Sequence, residues 1–259
     1  MNLNGKKILI SGANGFLGFE FTKFLLDEKA TIIATDIFLE RLNKLKKKFS
    51  SNNLIIKKLD VTKKNSWKKL DTYLYKNKID VDVLINSAGF TNNTKSKIYN
   101  NDFFKLDKKD HDKIMDINLF GSLIGCQIIG KRMISRKNGS IINIASMYGL
   151  KSPKHFIYPG TGISAPISYA ISKSGVIMLT KYLGTSFAKF NVRVNSISPG
   201  GMRQSTHTKK WLSRFSKMCP ANRMGFPKEL FGAIYYLCSD LSSYSNGANI
   251  VVDGGWTNW

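Results

Sequence analysis

The sequence predicts an α/β fold: a doubly wound sheet of about seven parallel strands with helices on both faces. Short β-branched runs recur along the whole chain and alternate with helical patterns. The runs are apolar at successive positions, so both faces of the sheet must be covered. A glycine-rich turn, "SGANGFLG" (11–18), closes the first run and opens a helix. A chain of 259 residues can bury a sizeable core, and residues 1–259 read as one domain without repeats or a low-complexity linker.

The strands are expected in "KKILISG" (6–12), "TIIATD" (31–36), "NLIIKKLD" (53–60), "DVLINSAG" (82–89), "GSIINIAS" (139–146), "VRVNSISPG" (192–200) and "ANIVVDGG" (248–255). Each runs into turn chemistry. "RLNKLKKKF" (41–49) carries Leu42, Leu45 and Phe49 at helical spacing, with lysines on the other face. A second lysine cluster, "DVTKKNSWKKL" (60–70), sits where another amphipathic helix is expected. The longest helical pattern runs from about Lys108 to Ser135. Ligands of such sheets bind beyond the carboxyl ends of the strands.

Forty basic residues against 17 acidic ones give a net charge of +23. That excess attracts polyanions, yet there is no RNA-binding aromatic signature and no zinc-finger spacing. A nucleic-acid partner is disfavoured, and solvated lysine faces account for the charge. No apolar run approaches the ~20 residues of a membrane span, so no membrane partner is expected. The opening "MNLNGKKILISGANG" is too short in apolar length for a signal peptide and reads as a first strand. Cys126, Cys219 and Cys238 are scattered, as are His111, His155 and His207. Reduced thiols, a cytoplasmic location and no metal site are expected.

In the glycine turn, Gly12 allows the tight bend, Gly15 lets phosphates approach the backbone and Gly18 permits close packing of the helix. Asn14, Phe16 and Leu17 share that loop. The helix start presents unpaired N–H groups to a pyrophosphate. Asp36 ends the second run about 20 positions further on, where a carboxylate binds the ribose hydroxyls of NAD and repels a 2′-phosphate. The plainer alternative is an aspartate capping the next helix. Ile37 follows it rather than a basic residue, although Arg41 and Lys44 lie on the next helix. NAD(H) is favoured, and NADP(H) stays compatible.

Six further stretches carry a family resemblance. They are Asp60 with Val61, "NSAG" (86–89), "MDINLFG" (115–121), "INIASMYG" (142–149), "YAISK" (169–173) and "SPGG" (198–201). In this order the chain resembles the single-domain branch of the short-chain dehydrogenase/reductase family over essentially its whole length. The resemblance implies a Rossmann-like sheet and an oxidoreductase acting on a small carbonyl or alcohol. It implies that Asp60 and Val61 contact adenine and that Asn86, Ala88 and Gly89 border the cofactor. Pro199 and Gly200 would flank the nicotinamide, and a homotetramer is implied. The implied catalytic set is Asn118, Ser146, Tyr169 and Lys173.

Tyr169 and Lys173 are four apart, on one face of a helix. Reduction of a ketone by hydride leaves an oxyanion that must be protonated. A tyrosine of pKa about 10 is a poor base near neutrality, and a neighbouring ammonium lowers it. Lys173 is therefore expected to tune Tyr169, and both to contact the cofactor. By resemblance, Ser146 orients the substrate oxygen, and Asn118 holds a water in a proton relay.

Two departures from the family pattern stand out. The glycine spacing is G-x-x-G-x-x-G, which resembles the longer nucleotide-sugar branch, although everything after residue 80 matches the shorter one. Ser146 and Tyr169 are also further apart than usual, because of additional residues in 151–168. Tyr158 is a rival for the catalytic position, but Pro159 follows it and Gly162 stands where the lysine should be. The insertion is expected to place Phe156 and Tyr158 over the substrate pocket.

Residues 202–224 resemble the family's substrate loop and carry Arg203, Lys209, Lys210, Arg214 and Arg223. These either clamp a phosphate or carboxylate or form a solvated basic helix. Met147, Phe156, Tyr158 and Arg203 are the candidate substrate contacts. The insertion and the ending "NIVVDGGWTNW" resemble more loosely the flagellin-modification and surface-glycan oxidoreductases, which implies a sugar or sugar-phosphate substrate. The alternatives are an NADPH-dependent 3-oxoacyl-thioester reductase and, from another class, a non-catalytic basic protein that senses a cofactor or binds nucleic acid.

Overall fold

The computed structural model describes residues 3–91, 103–161 and 163–259. Gly162, part of the argument against Tyr158, lies outside them. Seven strands among the described residues form one sheet: β1 (Lys7–Ser11), β2 (Thr31–Asp36), β3 (Leu54–Lys58), β4 (Val83–Asn86), β5 (Gly139–Ile144), β6 (Val192–Pro199) and β7 (Asn249–Val252). Their order is β3-β2-β1-β4-β5-β6-β7, with every neighbouring pair parallel. The direction of winding reverses between β1 and β4, where such sheets open a crevice.

Strands buried on both faces need two cores, and two are found. Successive residues of a strand point to opposite faces. Ile8, Ile32, Ile85 and Ile142 pack with Phe21 and Leu25 of α1 (Phe16–Asp27), Leu42 of α2 (Leu39–Phe49) and Ile234 of α8 (Phe231–Cys238). Leu9, Ile33, Leu84 and Ile141 pack with Trp67 of α3 (Lys64–Lys76) and Ile129 of α5 (Gly121–Arg136). The lysine clusters fall on the outer faces of α2 and α3, whose Leu42, Leu45, Trp67, Leu70 and Leu74 are buried. A solvated lysine face is what the helical spacing implied.

Most strands stop one to three residues short of the expected runs. The polar ends leave the sheet as turns, and these turns form the rim of the crevice. The long helix is also not uniform: α4 (Lys108–Met115) passes into a π turn, Asp116–Phe120, before α5. Asn118 sits in that turn. Its carbonyl accepts from the Ser122 hydroxyl at 2.9 Å, and π turns concentrate at working sites.

A third cluster lies beyond the carboxyl ends of β5 and β6. Met147, Ile157, Tyr158, Ala165, Trp211, Phe215 and Trp256 pack there, joining the insertion to α7 (Lys209–Lys217) and the chain's last turn. Among the described residues, no helix is long and apolar enough to cross a membrane, and no His/Cys/Asp/Glu cluster is arranged to hold a metal. The three cysteines are free and buried.

Candidate active site

The glycine turn is fixed by contact distances. Gly12 has φ +68°, and a Cβ there would lie 2.7 Å from the Ala88 Cα. A Cβ on Gly18 would lie 2.1 Å from the Gly12 carbonyl oxygen, and one on Gly15 3.1 Å from it. No side chain fits the first and third positions, so the variant spacing still produces the close approach. Gly15 caps α1 without a side-chain hydrogen bond, which leaves the first N–H groups of the helix for a ligand.

A cleft of about 1380 Å³ runs along the carboxyl ends of the strands. Gly12, Asn14, Gly15, Phe16, Leu17 and Gly18 form one wall, with Asp36, Asp60 and Val61 at one end. Ala88, Gly89, Pro199 and Gly200 lie along it towards Ser146, Tyr169 and Lys173. Asp36 accepts from the N–H groups of Phe38 at 3.1 Å and Asn14 at 3.4 Å. Arg41 stacks on the Phe38 ring at 4.5 Å, at the same end of the cleft. Asp60 accepts from both the N–H and the hydroxyl of Thr62, at 3.0 and 2.7 Å. The cradle therefore suits a dinucleotide: a backbone pocket for phosphates, and the Asp36 carboxylate in the same cleft at the end of β2.

Asn86 departs from its expected place. Its side chain turns inward, donating to Asn143 Oδ1 at 2.8 Å beneath β4, and it does not line the cleft. A strand residue facing the core cannot also face the crevice, so its contribution to the rim is the turn it begins.

Lys173 is 4 % exposed, and its Nζ donates to the Ile144 carbonyl at 2.7 Å. Burial pushes its pKa down to about 8. The ammonium stands 5.7 Å from the centre of the Tyr169 ring. Burial raises the Tyr169 phenol above its ordinary value, opposed by a hydrogen bond with Ser146. The expected lowering of Tyr169 by the lysine is thus not what this arrangement gives. Desolvation dominates, and the ammonium is drawn to a strand-end carbonyl instead of the phenol.

Ser146 Oγ accepts from the Tyr148 N–H at 3.2 Å, and its hydroxyl is hydrogen-bonded with the Tyr169 phenol. The Asn118 side chain is spent within the fold. It accepts from the Phe90 N–H at 2.7 Å and donates to the Phe90 carbonyl and the Ser172 hydroxyl, both at 3.0 Å. It pins the turn after β4 to α6 (Ile167–Phe187). Its free resource is the backbone of the π turn.

The expected substrate contacts divide. Tyr158 is buried, stacked on Trp211 at 5.0 Å, and its hydroxyl is bonded to that of Tyr148. It is therefore part of the wall built by the insertion and α7. Met147 is buried in the same cluster. Phe156 is 68 % exposed and Arg203 is exposed, so neither joins them. Arg214 donates to the carbonyls of Ile157 at 3.2 Å and Pro159 at 2.5 Å, and Arg223 pairs with Glu229 at 2.6 Å. Two of the five loop cations are thereby engaged by the protein itself, Arg214 half-buried and Arg223 at the surface. Tyr148 and Trp211 were not among the expected site residues; Tyr148, two places after Ser146, was the readable signal.

Comparison with known proteins agrees with this geometry. A family model described as enoyl-(acyl carrier protein) reductase matches residues 12–257. The chain belongs to the short-chain dehydrogenase/reductase family. A 3-oxoacyl-(acyl-carrier-protein) reductase of Thermotoga maritima is 33% identical over 98% of this chain and 99% of its own length. An NAD-dependent glycerol dehydrogenase of Listeria innocua is 28% identical, covering 99% and 95%. The post-translational flagellin modification protein A of Campylobacter coli is 26% identical, covering 98% and 99%. Among solved structures, a short-chain dehydrogenase of Leptospira borgpetersenii with bound NAD+ superposes with TM-score 0.88 at 29% identity, covering 99% of this chain and 94% of that one. A gluconate 5-dehydrogenase of Burkholderia cenocepacia in complex with NADP and tartrate gives TM-score 0.87 at 25% identity, covering 100% and 97%. This short-chain dehydrogenase/reductase is an oxidoreductase that uses a nicotinamide cofactor.

Proposed function

We propose that this enzyme interconverts a secondary alcohol and a ketone with NAD(H), acting on a sugar or sugar-phosphate in the cytoplasm as a step of surface-glycan synthesis. The observation that carries this reading is one cleft with Asp36 at one end and Ser146, Tyr169 and Lys173 at the other. The bound nicotinamide supplies or accepts the hydride. Ser146, hydrogen-bonded with Tyr169, donates to the substrate oxygen when substrate enters and holds it beside the phenol. Tyr169 gives up its proton to the nascent alkoxide or, in the reverse direction, takes one from the alcohol. Lys173, next to Gly89 in the cleft wall, is placed to hold the nicotinamide ribose.

The preference for NAD(H) rests on Asp36, whose carboxylate contacts backbone N–H groups and opposes a 2′-phosphate. Polyol, gluconate and flagellin-modification relatives support an oxygen-rich substrate. The 33% identity to the Thermotoga reductase, together with Arg41 at the ribose end, favours the second reading of an NADPH-dependent acyl-thioester reductase. A homotetramer fits the exposed apolar Ile171, Met178 and Tyr182 on α6.

A thermal-shift titration with NAD, NADH, NADP, NADPH and a DNA duplex tests the reading, since a ligand of the folded state raises its melting temperature. Stabilisation by NADH over NADPH, reversed in Asp36→Ala, is the expected result. A wild-type preference for NADPH overturns the cofactor assignment. Stabilisation by DNA alone overturns the enzyme.

A further inference from the structure

We infer that the insertion and α7 form a polar subsite that takes the non-reacting oxygens of the substrate, with the Trp211 indole N–H and the Tyr148–Tyr158 hydroxyl pair as its donors. The inference rests on the oxidoreductase reading above and names the residues that select its substrate class.

The first observation is an orphaned donor. Trp211 is 4 % exposed, and its Nε1 is buried without a hydrogen-bond partner. An indole N–H can only donate, and leaving it unpaired in a fold costs about 1–3 kcal/mol. Native folds rarely tolerate such a group without a use for it. The Ser164 hydroxyl, between Ile163 and Ala165 of the same cluster, is likewise buried and unpaired.

The second observation concerns protons. The hydroxyls of Tyr148 and Tyr158 are bonded to each other, and among the described residues no other group accepts from either. Two phenols carry two protons, and the pair consumes one. The remaining O–H is available to a ligand. Burial raises both phenols, Tyr148 to about 12, so the pair stays neutral and protonated at working pH. Ser146 accepts from the Tyr148 N–H, which ties the pair to the reacting centre.

The third observation is the framework. Tyr148 follows Ser146 by two residues in a 3-10 turn, Met147–Gly149, that Ser146 itself caps. Tyr158 stacks on Trp211, and Arg214 holds the insertion by the carbonyls of Ile157 and Pro159. A donor fixed this way discriminates well, because a substrate lacking the matching oxygen leaves it unsatisfied. The complement of neutral, fixed donors is a polyhydroxylated ketone. The alkyl tail of an acyl thioester offers no acceptor to them, and only its thioester carbonyl does.

Matched ketones test the assignment: dihydroxyacetone against acetone, and 2-hydroxycyclohexanone against cyclohexanone, each reduced with NADH by wild type, Trp211→Phe, Tyr158→Phe and Tyr148→Phe. Each tyrosine variant keeps its ring and loses one hydroxyl, and Trp211→Phe loses the indole donor while keeping an aromatic ring. The ratio of kcat/KM for the hydroxylated over the plain ketone is expected to fall about fivefold to tenfold in each. An unchanged ratio overturns the subsite. A binding arm separates this from failure of the activity itself. Erythritol and gluconate are titrated into NAD-saturated Tyr169→Phe enzyme, followed by thermal shift. A shift that Trp211→Phe abolishes supports the subsite even if no ketone is turned over. Where no ketone is turned over, absence of any polyol shift overturns it.

Discussion

At the cofactor end of the cleft the working groups come from short, contiguous stretches: backbone N–H groups at 16–18, a glycine floor against Ala88, and the strand-end carboxylate of Asp36. At the substrate end they are side chains gathered from Ser146 to Trp256, held by ring stacking and by arginine–carbonyl bonds. The first end is set by backbone geometry, which tolerates almost no substitution. The second is set by packing, which can be rebuilt around another substrate while the chemistry stays in place. Within one α/β domain, this separates what the reaction requires from what the substrate requires.

The largest effect should come from the reacting centre, where the two ends meet. Tyr169→Phe keeps the ring and removes the proton donor. Turnover with NADH should fall by about 10²–10⁴-fold while NADH binding, read by fluorescence titration, stays within about twofold. Retained turnover would shift the proton transfer to the Tyr148–Tyr158 pair and erase the distinction between catalytic and substrate tyrosines.

Lys173 gives the next largest effect, with a sign that can be worked out. Burial holds its pKa near 8, against an ordinary 10.5. Between those values the unfolded chain binds more protons, so the lysine's contribution is fully present above 10.5 and is lost as pH falls to about 8. Lys173→Met removes the titration. At pH 7 the variant should be the more stable protein, and the gap should shrink by up to about 3 kcal/mol between pH 8 and 10.5. Denaturant unfolding of both proteins at several pH values checks this. The buried phenols and thiols of Tyr148, Tyr158, Tyr169, Cys126 and Cys238 push stability the other way, but equally in both proteins. A gap that does not move with pH would mean that the ammonium is well solvated.

The two ends also differ in how far they could be read from sequence. All seven strands were legible, because β-branched runs buried on both faces admit few alternatives. So was the glycine turn despite its unusual spacing, since the first and third positions still abut backbone atoms. The choice of Tyr169 over Tyr158 needed only Pro159 and the placing of a lysine one turn on. The side chain of Asn86 was misjudged because a strand motif fixes position but not which face a residue shows. Phe156 and Tyr158 are two residues apart, yet one is in solvent and the other in the wall, which only the contacts with Trp211 and Arg214 decide. The pKa of Tyr169 was misjudged for a related reason: sequence supplies the charged neighbour but not the depth of burial that outweighs it.

The smallest effect tests the substrate end directly. From sequence, Arg214 was a candidate clamp for an anionic substrate; in the fold its guanidinium is spent on the carbonyls of Ile157 and Pro159. A structural arginine and a binding arginine make opposite predictions for Arg214→Met. If it is structural, the variant loses charge-assisted hydrogen bonds to two carbonyls, about 1–2 kcal/mol for a half-buried group. The melting temperature should then drop by roughly 3–6 °C, and proteolysis within residues 151–161 should accelerate. The ratio of KM for a phosphorylated over an unphosphorylated ketose should be unchanged. If instead the melting temperature holds and only the phosphorylated substrate loses affinity, Arg214 binds substrate. The insertion would then be held by the aromatic stack alone, and the substrate end would owe its shape to Tyr158 and Trp211.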